Sequence, residues 1–388
     1  MRKPWIDNSV IRNYNLNRYY DMKREAKYTG FEAASMTEIL INGNFLCRNL
    51  TGIERFAWEI CKRIDSLLSS SDRVSILVPA NAPKVPSYTR IAAIRSDKEA
   101  RSFPFWDLGV FAKTCRRRNA CALSFSNTAP LGKNCGIAFI HDVYAKDFPN
   151  DFTSFYDKLI GAYSRLNYRN ICKNARFVCT VSNFSKKQII DYYRVPEEKI
   201  RVIYDGFEHI LMIRADENIL KKLGLKSGEF YFTLGSLSLR KNLKWIMQHA
   251  ELYPNELFVV SGAMLKNVIP PELEKIKSLE NIILAGYLSD EAVKALMQNC
   301  KAFVFPSYFE GFGLPPLEAL SCGAPVVVSN AASLPEIYGS CAHYIDPFKP
   351  DVDLDALLAE PVSSPAPLFE KYSLDDSAKK LYALFKAV

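Results

Sequence analysis

The stretch "EGFGLPPLE", residues 310–318, sets two carboxylates, Glu310 and Glu318, eight positions apart around Gly311, Gly313, Pro315 and Pro316. Glycines let a backbone come close to a ligand. Prolines suit the first turn of a helix, whose free N–H groups and positive dipole end attract an anion. A carboxylate beside a bound diphosphate would be repelled by it, so the two acids are placed to accept hydrogen bonds from hydroxyls on either side of the phosphates. A sugar nucleotide has that shape. Upstream, Arg240 and Lys241 open another helical pattern. Positive charge there meets the unfavourable end of the helix dipole, and a bound anion accounts for it.

The elements around these residues read as strands alternating with helices. Apolar runs of strand length at 38–43, 74–79, 121–125, 136–142, 175–182 and 200–206 form one series. Helical patterns at 51–68 and 182–193 follow its first and fifth members, the second opened by a Ser182 cap signal. A second series occupies 230–236, 256–262, 281–287, 302–307, 325–330 and 342–346, with helices expected at 241–251, 289–299 and 316–322. Such alternation predicts parallel α/β sheets covered by helices on both faces. Two doubly wound domains are expected to meet near 207–228, with ligands bound in the cleft beyond the carboxyl ends of the strands. The sequence around Glu310 then falls at the end of the 302–307 strand, and Gly323 closes the helix that carries Glu318.

Composition sets outer limits. A chain of 388 residues, 48% hydrophobic, suits two domains with a core each. The ten cysteines include no C-x-x-C pair and no Cys/His cluster at metal spacing, which reads as reduced, cytosolic core thiols. No run reaches the roughly 18 apolar residues of a membrane span. The net charge of +8 is uneven: residues 1–210 hold 33 Lys and Arg against 21 Asp and Glu, and residues 211–388 hold 17 against 21. A basic half fits an anionic lipid or lipid diphosphate better than nucleic acid, for which no binding module is recognisable.

Taken together, Glu310-Gly-Phe-Gly-Leu-Pro-Pro-Leu-Glu318 resembles the E-x7-E motif of retaining glycosyltransferase family 4 (group 1). "LTGIERFAWEI", "IHDVYAKDFP", "CTVSNFSKKQIIDYYRVPEEKIRVIYDGF" and "TLGSLSLRKNLKWIM" resemble that family's first glycine loop, His-Asp segment, end of the first domain and donor-phosphate loop, in order. The likeness runs over about residues 37–388 and is nearest to bacterial O-antigen and exopolysaccharide mannosyltransferases. It implies the GT-B fold, two Rossmann-like domains facing across a cleft. The domains expected are an acceptor-binding one at 37–206 and a nucleotide-sugar-binding one at 207–365, with a C-terminal helix at 366–388 packing back toward the first. Residues 1–36 match nothing and read as an appended or disordered extension.

The same resemblance assigns roles. Glu310 would bind donor-sugar hydroxyls near the anomeric centre and Glu318 the ribose hydroxyls. The backbone of Phe312, Gly313 and Leu314 would hold the diphosphate. Lys241, with Arg240 beside it, would neutralise charge on the leaving nucleoside diphosphate. Many relatives have Gly-Arg where this chain has Gly235-Ser236, which leaves open whether Arg240 supplies the guanidinium. His141 would lie under the donor sugar, Gly52 would let the N-terminal loop approach phosphate or acceptor, and Leu288 and Asp290 would border the base. His209, His249 and His343 read as structural. "DVDLD" at 351–355 lies past the last strand, where Asp commonly caps a helix, so no metal is required.

The activity implied is transfer of a hexose, mannose from GDP-mannose foremost, to a lipid-linked saccharide or polysaccharide acceptor. It would proceed with retention and without a protein nucleophile, the leaving phosphate taking the acceptor's proton. A sugar-nucleotide epimerase or phosphorylase and a non-catalytic partner of a polysaccharide assembly complex are the competing readings. The acceptor would place the protein in the cytoplasm at the inner membrane face, with Arg116, Arg117, Arg118, Lys186 and Lys187 and the aromatic Phe103, Phe105 and Trp106 as the expected contact.

Overall fold

The computed structural model describes residues 37–102, 104–235, 238–262 and 271–388, within which Thr37–Val388 forms one compact unit. The extension expected over 1–36 lies outside the described residues, as do Phe103 and Ser236. Two sheets organise the unit. The first contains β1 (Ile39–Asn42), β2 (Val74–Val78), β3 (Ala92–Arg95), β4 (Cys121–Ser124), β5 (Ile137–Phe139), β6 (Phe177–Thr180) and β7 (Ile200–Val202), in the order β3-β2-β1-β4-β5-β6-β7. The second contains β8 (Tyr231–Leu234), β9 (Phe258–Ser261), β10 (Ile282–Gly286), β11 (Ala302–Phe305), β12 (Val326–Ser329) and β13 (His343–Ile345), in the order β10-β9-β8-β11-β12-β13.

Each pairing between neighbours is parallel; Ile39, for instance, stands opposite both Val74 and Cys121. Parallel strands sandwiched by helices bury both faces, which is why VSILV, AFVF and VVVS are continuous apolar runs and not alternating ones. The expected sheets are therefore present, with β3 in addition. Its AAIR sequence, at the edge and largely exposed, lacks the buried run by which the other strands were legible.

The principal helices are α1 (Gly52–Leu67), α2 (Ala112–Arg118), α3 (Phe155–Asn174), α4 (Asn183–Tyr193), α5 (Leu243–Leu252), α6 (Asp290–Asn299), α7 (Leu314–Ser321), α8 (Leu334–Tyr338) and α9 (Leu374–Phe385). Ser182 caps α4 by accepting the Ser185 N–H at 3.1 Å. The last helix crosses back to the first sheet: Leu374, Ala378, Leu381 and Phe385 share a core with Ile39, Phe56 and Ile60. Gly206 makes this return possible, since a Cβ there would lie 2.7 Å from the Leu374 backbone nitrogen. No helix among the described residues is long and apolar enough to cross a membrane, and all ten cysteines are unpaired thiols.

Candidate active site

In each sheet the winding reverses once, between β1 and β4 in the first and between β8 and β11 in the second. Open α/β sheets take ligands at such a switch point, beyond the carboxyl ends of the strands. β8 runs out into Gly235, and β11 into the 306–313 loop that carries Glu310. A tight turn, Leu239–Lys241, presents two cations between them. Asn242 ends that turn in the left-handed region (φ 58°) and donates from Nδ2 to the carbonyls of Pro306 and Pro347 at 3.0 and 2.7 Å, pinning the turn to the exit of β11.

There Lys241 Nζ donates to Glu310 Oε1 at 2.7 Å. Arg240 Nη1 stands 3.6 Å from Glu310 Oε2, donates to Asp142 Oδ2 of the first lobe at 3.3 Å, and faces the Tyr144 ring. Burial pushes the Glu310 carboxyl up, but Lys241 and Arg240 outweigh it and hold Glu310 below the usual carboxylate value. The carboxylate is thus ionised and cannot donate a proton. Burial draws the Lys241 ammonium below its ordinary value although Glu310 opposes the shift, with Arg240 adding repulsion. A second anion beside Lys241 would relieve both burial and repulsion.

Glu318, one turn into α7, has a different partner. It is buried and its Oε1 meets His209 Nε2 at 2.6 Å. Burial raises its carboxyl, and the His209 hydrogen bond and charge, with Arg55 farther off, bring it below the usual value. His209 Nδ1 is buried with no hydrogen-bond partner among the described residues. Next to this pair, burial pushes the Asp205 carboxyl well above its ordinary range, despite the Gly206 N–H it accepts at 2.9 Å. Between the two glutamates, Gly313 (φ 86°) opens α7 and no side chain caps the helix; Pro315 and Pro316 carry no N–H, so the amides at its start are those of Gly313 and Leu314. A Cβ on Gly313 would lie 2.4 Å from Leu334 Cδ2.

Comparison with known proteins agrees with this geometry. The family model described as Glycosyltransferase Family 4 matches residues 50–209, and that described as Glycosyl transferases group 1 matches residues 215–345. The O-antigen chain mannosyltransferase B of Escherichia coli is 32% identical over 340 residues, 81% of this chain and 87% of that protein. The chain belongs to glycosyltransferase family 4 (group 1). The O-antigen chain mannosyltransferase RfbU of Salmonella typhimurium is 28% identical over 254 residues, 63% of this chain and 65% of that one. Among solved structures, WaaG, a glycosyltransferase involved in lipopolysaccharide biosynthesis, superposes with a TM-score of 0.60 at 16% identity, covering 90% of this chain and 98% of that one. The two lobes are the Rossmann-like halves of a GT-B fold.

This glycosyltransferase brings some of its sequence-predicted site residues into contact and separates others. Glu310, Lys241 and Arg240 form one cluster, and His141 approaches it through backbone: a Cβ on Gly311 would lie 2.2 Å from the His141 carbonyl oxygen. The His141 ring stacks on Phe139, and its Nε2 lies 2.7 Å from the Phe125 carbonyl oxygen. A carbonyl only accepts, so Nε2 carries the hydrogen. Burial lowers the ring's affinity for a second proton despite that bond, leaving Nδ1 as an acceptor. The Phe312 ring packs edge-on against Tyr372 in the core, its carbonyl accepts from Ser333 Oγ at 3.2 Å, and Leu314 is buried as the first residue of α7.

Gly52 begins α1 with nothing within 4 Å of an added Cβ, so packing in the protein itself does not require glycine there. Leu288 packs against the second-lobe core. Asp290, at the start of α6, is held by Arg55 of α1 through two bonds of 2.7 and 2.8 Å, a bridge between the lobes. The "DVDLD" acids each have a structural partner: Tyr253 donates to Asp351, the Ala356 N–H to Asp353, and Tyr231 to Asp355.

One expectation changes: Trp106 is fully buried with its Nε1 donating to Asn42 Oδ1 at 2.7 Å, so it has no access to a membrane; His209, read as structural, is buried and holds Glu318. Sequence reasoning also missed Asp142 and Arg55 as lobe-bridging partners. Asp142 lay inside the quoted His-Asp segment, whereas nothing in the local sequence of α1 singles out Arg55.

Proposed function

We propose that this glycosyltransferase moves mannose from GDP-mannose to a lipid-linked or polysaccharide acceptor in cell-surface glycan synthesis, with retention at the anomeric carbon and no metal cofactor. The observation that carries the reading is the charged cluster at the β8/β11 switch point. There one ionised carboxylate is shared by two cations, beside the uncapped start of α7. The diphosphate of the donor would take Lys241 and the Gly313 and Leu314 N–H groups at the start of α7, as anions do at helix N-termini. Glu310 would then accept from sugar hydroxyls, His141 Nδ1 from another, and Glu318 from the ribose.

As the bond from the anomeric carbon to the β-phosphate oxygen breaks, Lys241 and Arg240 would offset the charge left on the phosphate. The acceptor oxygen would form the new bond on the same face and give its proton to that phosphate. Mannose and the O-antigen context are supported by the names of the two relatives above.

A donor panel tests the proposal. Release of hexose from GDP-mannose, above that from UDP- and dTDP-sugars, together with thermal stabilisation by GDP, is the expected result. Stabilisation by UDP or dTDP alone would reassign the donor, and none by any nucleotide would favour a non-catalytic partner. Acceptor assays with a polyprenyl-diphosphate saccharide at the cytoplasmic face then test the lipid linkage.

A further inference from the structure

The turn that leaves β13, residues 346–349, holds the Phe348 ring in solvent, 76% exposed, while the backbone beneath it is firmly fixed. Asp346 Oδ1 accepts the Phe348 N–H at 2.9 Å, and the Asp346 carbonyl accepts that of Lys349 at 3.2 Å. Trp245 Nε1 donates to the carbonyls of Asp346 and Lys349 at 3.2 and 3.1 Å, and Asn242 Nδ2 to that of Pro347 at 2.7 Å. The turn therefore forgoes the burial of a large apolar ring and presents it on a preorganised support.

One exposed ring is ordinary on a protein surface, but this one continues a row. Phe348 stacks on Tyr308, with centroids 6.3 Å apart and planes at 24°, and Tyr308 meets Phe148 of the first lobe at 5.1 Å. The Tyr308 hydroxyl donates to Asp151, which also takes the Tyr144 hydroxyl. The row adjoins the reacting groups. The Tyr308 N–H donates to the Arg240 carbonyl at 3.1 Å, the Arg240 guanidinium lies 5.5 Å from the centre of the Tyr144 ring, and Asn242, which holds Pro347, directly follows Lys241.

The chemistry of this surface selects its ligand. A pyranose carries C–H bonds on its faces and hydroxyls around its rim, so it can cover an aromatic ring and still hydrogen-bond to polar groups at the edge. Charge disfavours an anion: Lys349 pairs with Asp346 and Arg240 with Asp142, each at 3.3 Å, and the Asp151 carboxylate leaves no positive excess among these groups. Two stacked rings are also far smaller than the roughly 800 Å² that each partner contributes to a stable protein interface.

Order along the chain separates donor from acceptor. On the functional reading above, the ribose lies at Glu318, the diphosphate at Gly313 and Leu314, and the donor sugar at Glu310. Tyr308, two residues before Glu310, carries that order outward to the aromatic row. A sugar there belongs to the acceptor.

We propose that Phe348 and Tyr308 form an acceptor subsite, a stacking platform on the second lobe that holds a neutral sugar of the acceptor saccharide set back from the hydroxyl that receives the transferred hexose. The inference rests on the reading that the acceptor is a saccharide. Such a platform makes acceptor affinity depend on chain length.

Two measurements on the full chain test it. Steady-state rates with GDP-mannose compare methyl α-mannoside with α-linked methyl mannotetraosides, and saturation-transfer NMR detects the tetraosides on the protein with no donor present. The wild type is expected to prefer a tetraoside and to show saturation transfer to it. Phe348→Ala is expected to raise the tetraoside KM about tenfold with kcat within about twofold, and to remove the NMR contact. Phe348→Trp, which keeps a stacking face, is expected to restore both. Because the ring is exposed, the alanine variant should unfold at the wild-type temperature.

An equal loss on methyl α-mannoside and the tetraosides, a Phe348→Ala protein that matches wild type on both, or a wild type without saturation transfer would overturn the proposal. So would self-association that Phe348→Ala abolishes, since a second copy would then cover the ring. Hydrolysis of GDP-mannose without acceptor reports on the donor reading alone, and the NMR contact requires no donor.

Discussion

Glu310 and Glu318 lie on one loop-helix unit, eight residues apart in sequence, yet the fold surrounds them differently. Glu310 faces two cations, Lys241 and Arg240, the second also bonded to Asp142 across the cleft. Glu318 faces one imidazole, His209, with the buried Asp205 carboxyl near it. A carboxylate that neutralises a lysine keeps that lysine positioned before a diphosphate arrives and can release it to the incoming charge. A carboxylate held by a single imidazole keeps its orientation, which would suit a ribose diol. On the proposed reading, the first environment would serve charge that changes during reaction and the second a group that is only held.

The comparison fails most visibly if the two sites respond alike to mutation. Lys241→Ala and Glu310→Gln are expected to cut kcat/KM by about 10² to 10³, the usual cost of one preorganised electrostatic contact. Folded variants retaining activity within about threefold of wild type would remove the cluster from the mechanism. Glu318→Ala and His209→Ala are expected instead to raise the donor KM roughly tenfold, about 1.4 kcal/mol, with kcat nearly unchanged. His209→Gln should recover most of that loss, since its amide can donate to Glu318. A fall in kcat matching that of Lys241→Ala would show that the two glutamates share one task.

Acid titration sharpens the contrast more gently. Both carboxyls lie below the usual glutamate value in the folded protein, so each contributes stability above that pH, lost as the pH falls through its folded value. Urea unfolding midpoints measured from pH 6 downward should decline less steeply for Glu310→Gln. The slope would change by at most about 1.4 kcal/mol per pH unit for the one proton removed. An unchanged slope would mean that Glu310 is not held ionised. The smallest effect is expected from chelation: with Lys241, Arg240 and the start of α7 facing the diphosphate, transfer should be unaltered in excess EDTA. Loss of activity restored by Mn²⁺ or Mg²⁺ would reopen the "DVDLD" acids.

What could be read from the sequence follows from how local each feature is. Twelve of the thirteen strands among the described residues were legible because a strand buried on both faces must be an unbroken apolar run. β3 escaped as an exposed edge strand, and α3 carried no sharp apolar periodicity because its two halves bury different things. Glu310, Gly313 and the prolines of α7 were legible for a similar reason. A glycine-proline turn into a helix is a contiguous device whose residues are chosen by local backbone geometry.

Other features belong only to the tertiary structure. That Arg240 would reach Asp142 and Arg55 reach Asp290, and that Gly311 would sit against the His141 carbonyl, depend on how two lobes meet, and that His209 would face Glu318 depends on packing within the second lobe. These contacts join residues between 98 and 235 positions apart, or bring backbone to backbone across the cleft. No local propensity encodes them. The same holds for the surface: composition showed that the first half is basic, but only the packing of α2 and α3 decided that Arg118 is spent on Glu38 while Lys158 and the apolar turns beside it face outward. Burial is a property of the whole chain's packing, and the exposed remainder is known only once that packing is complete.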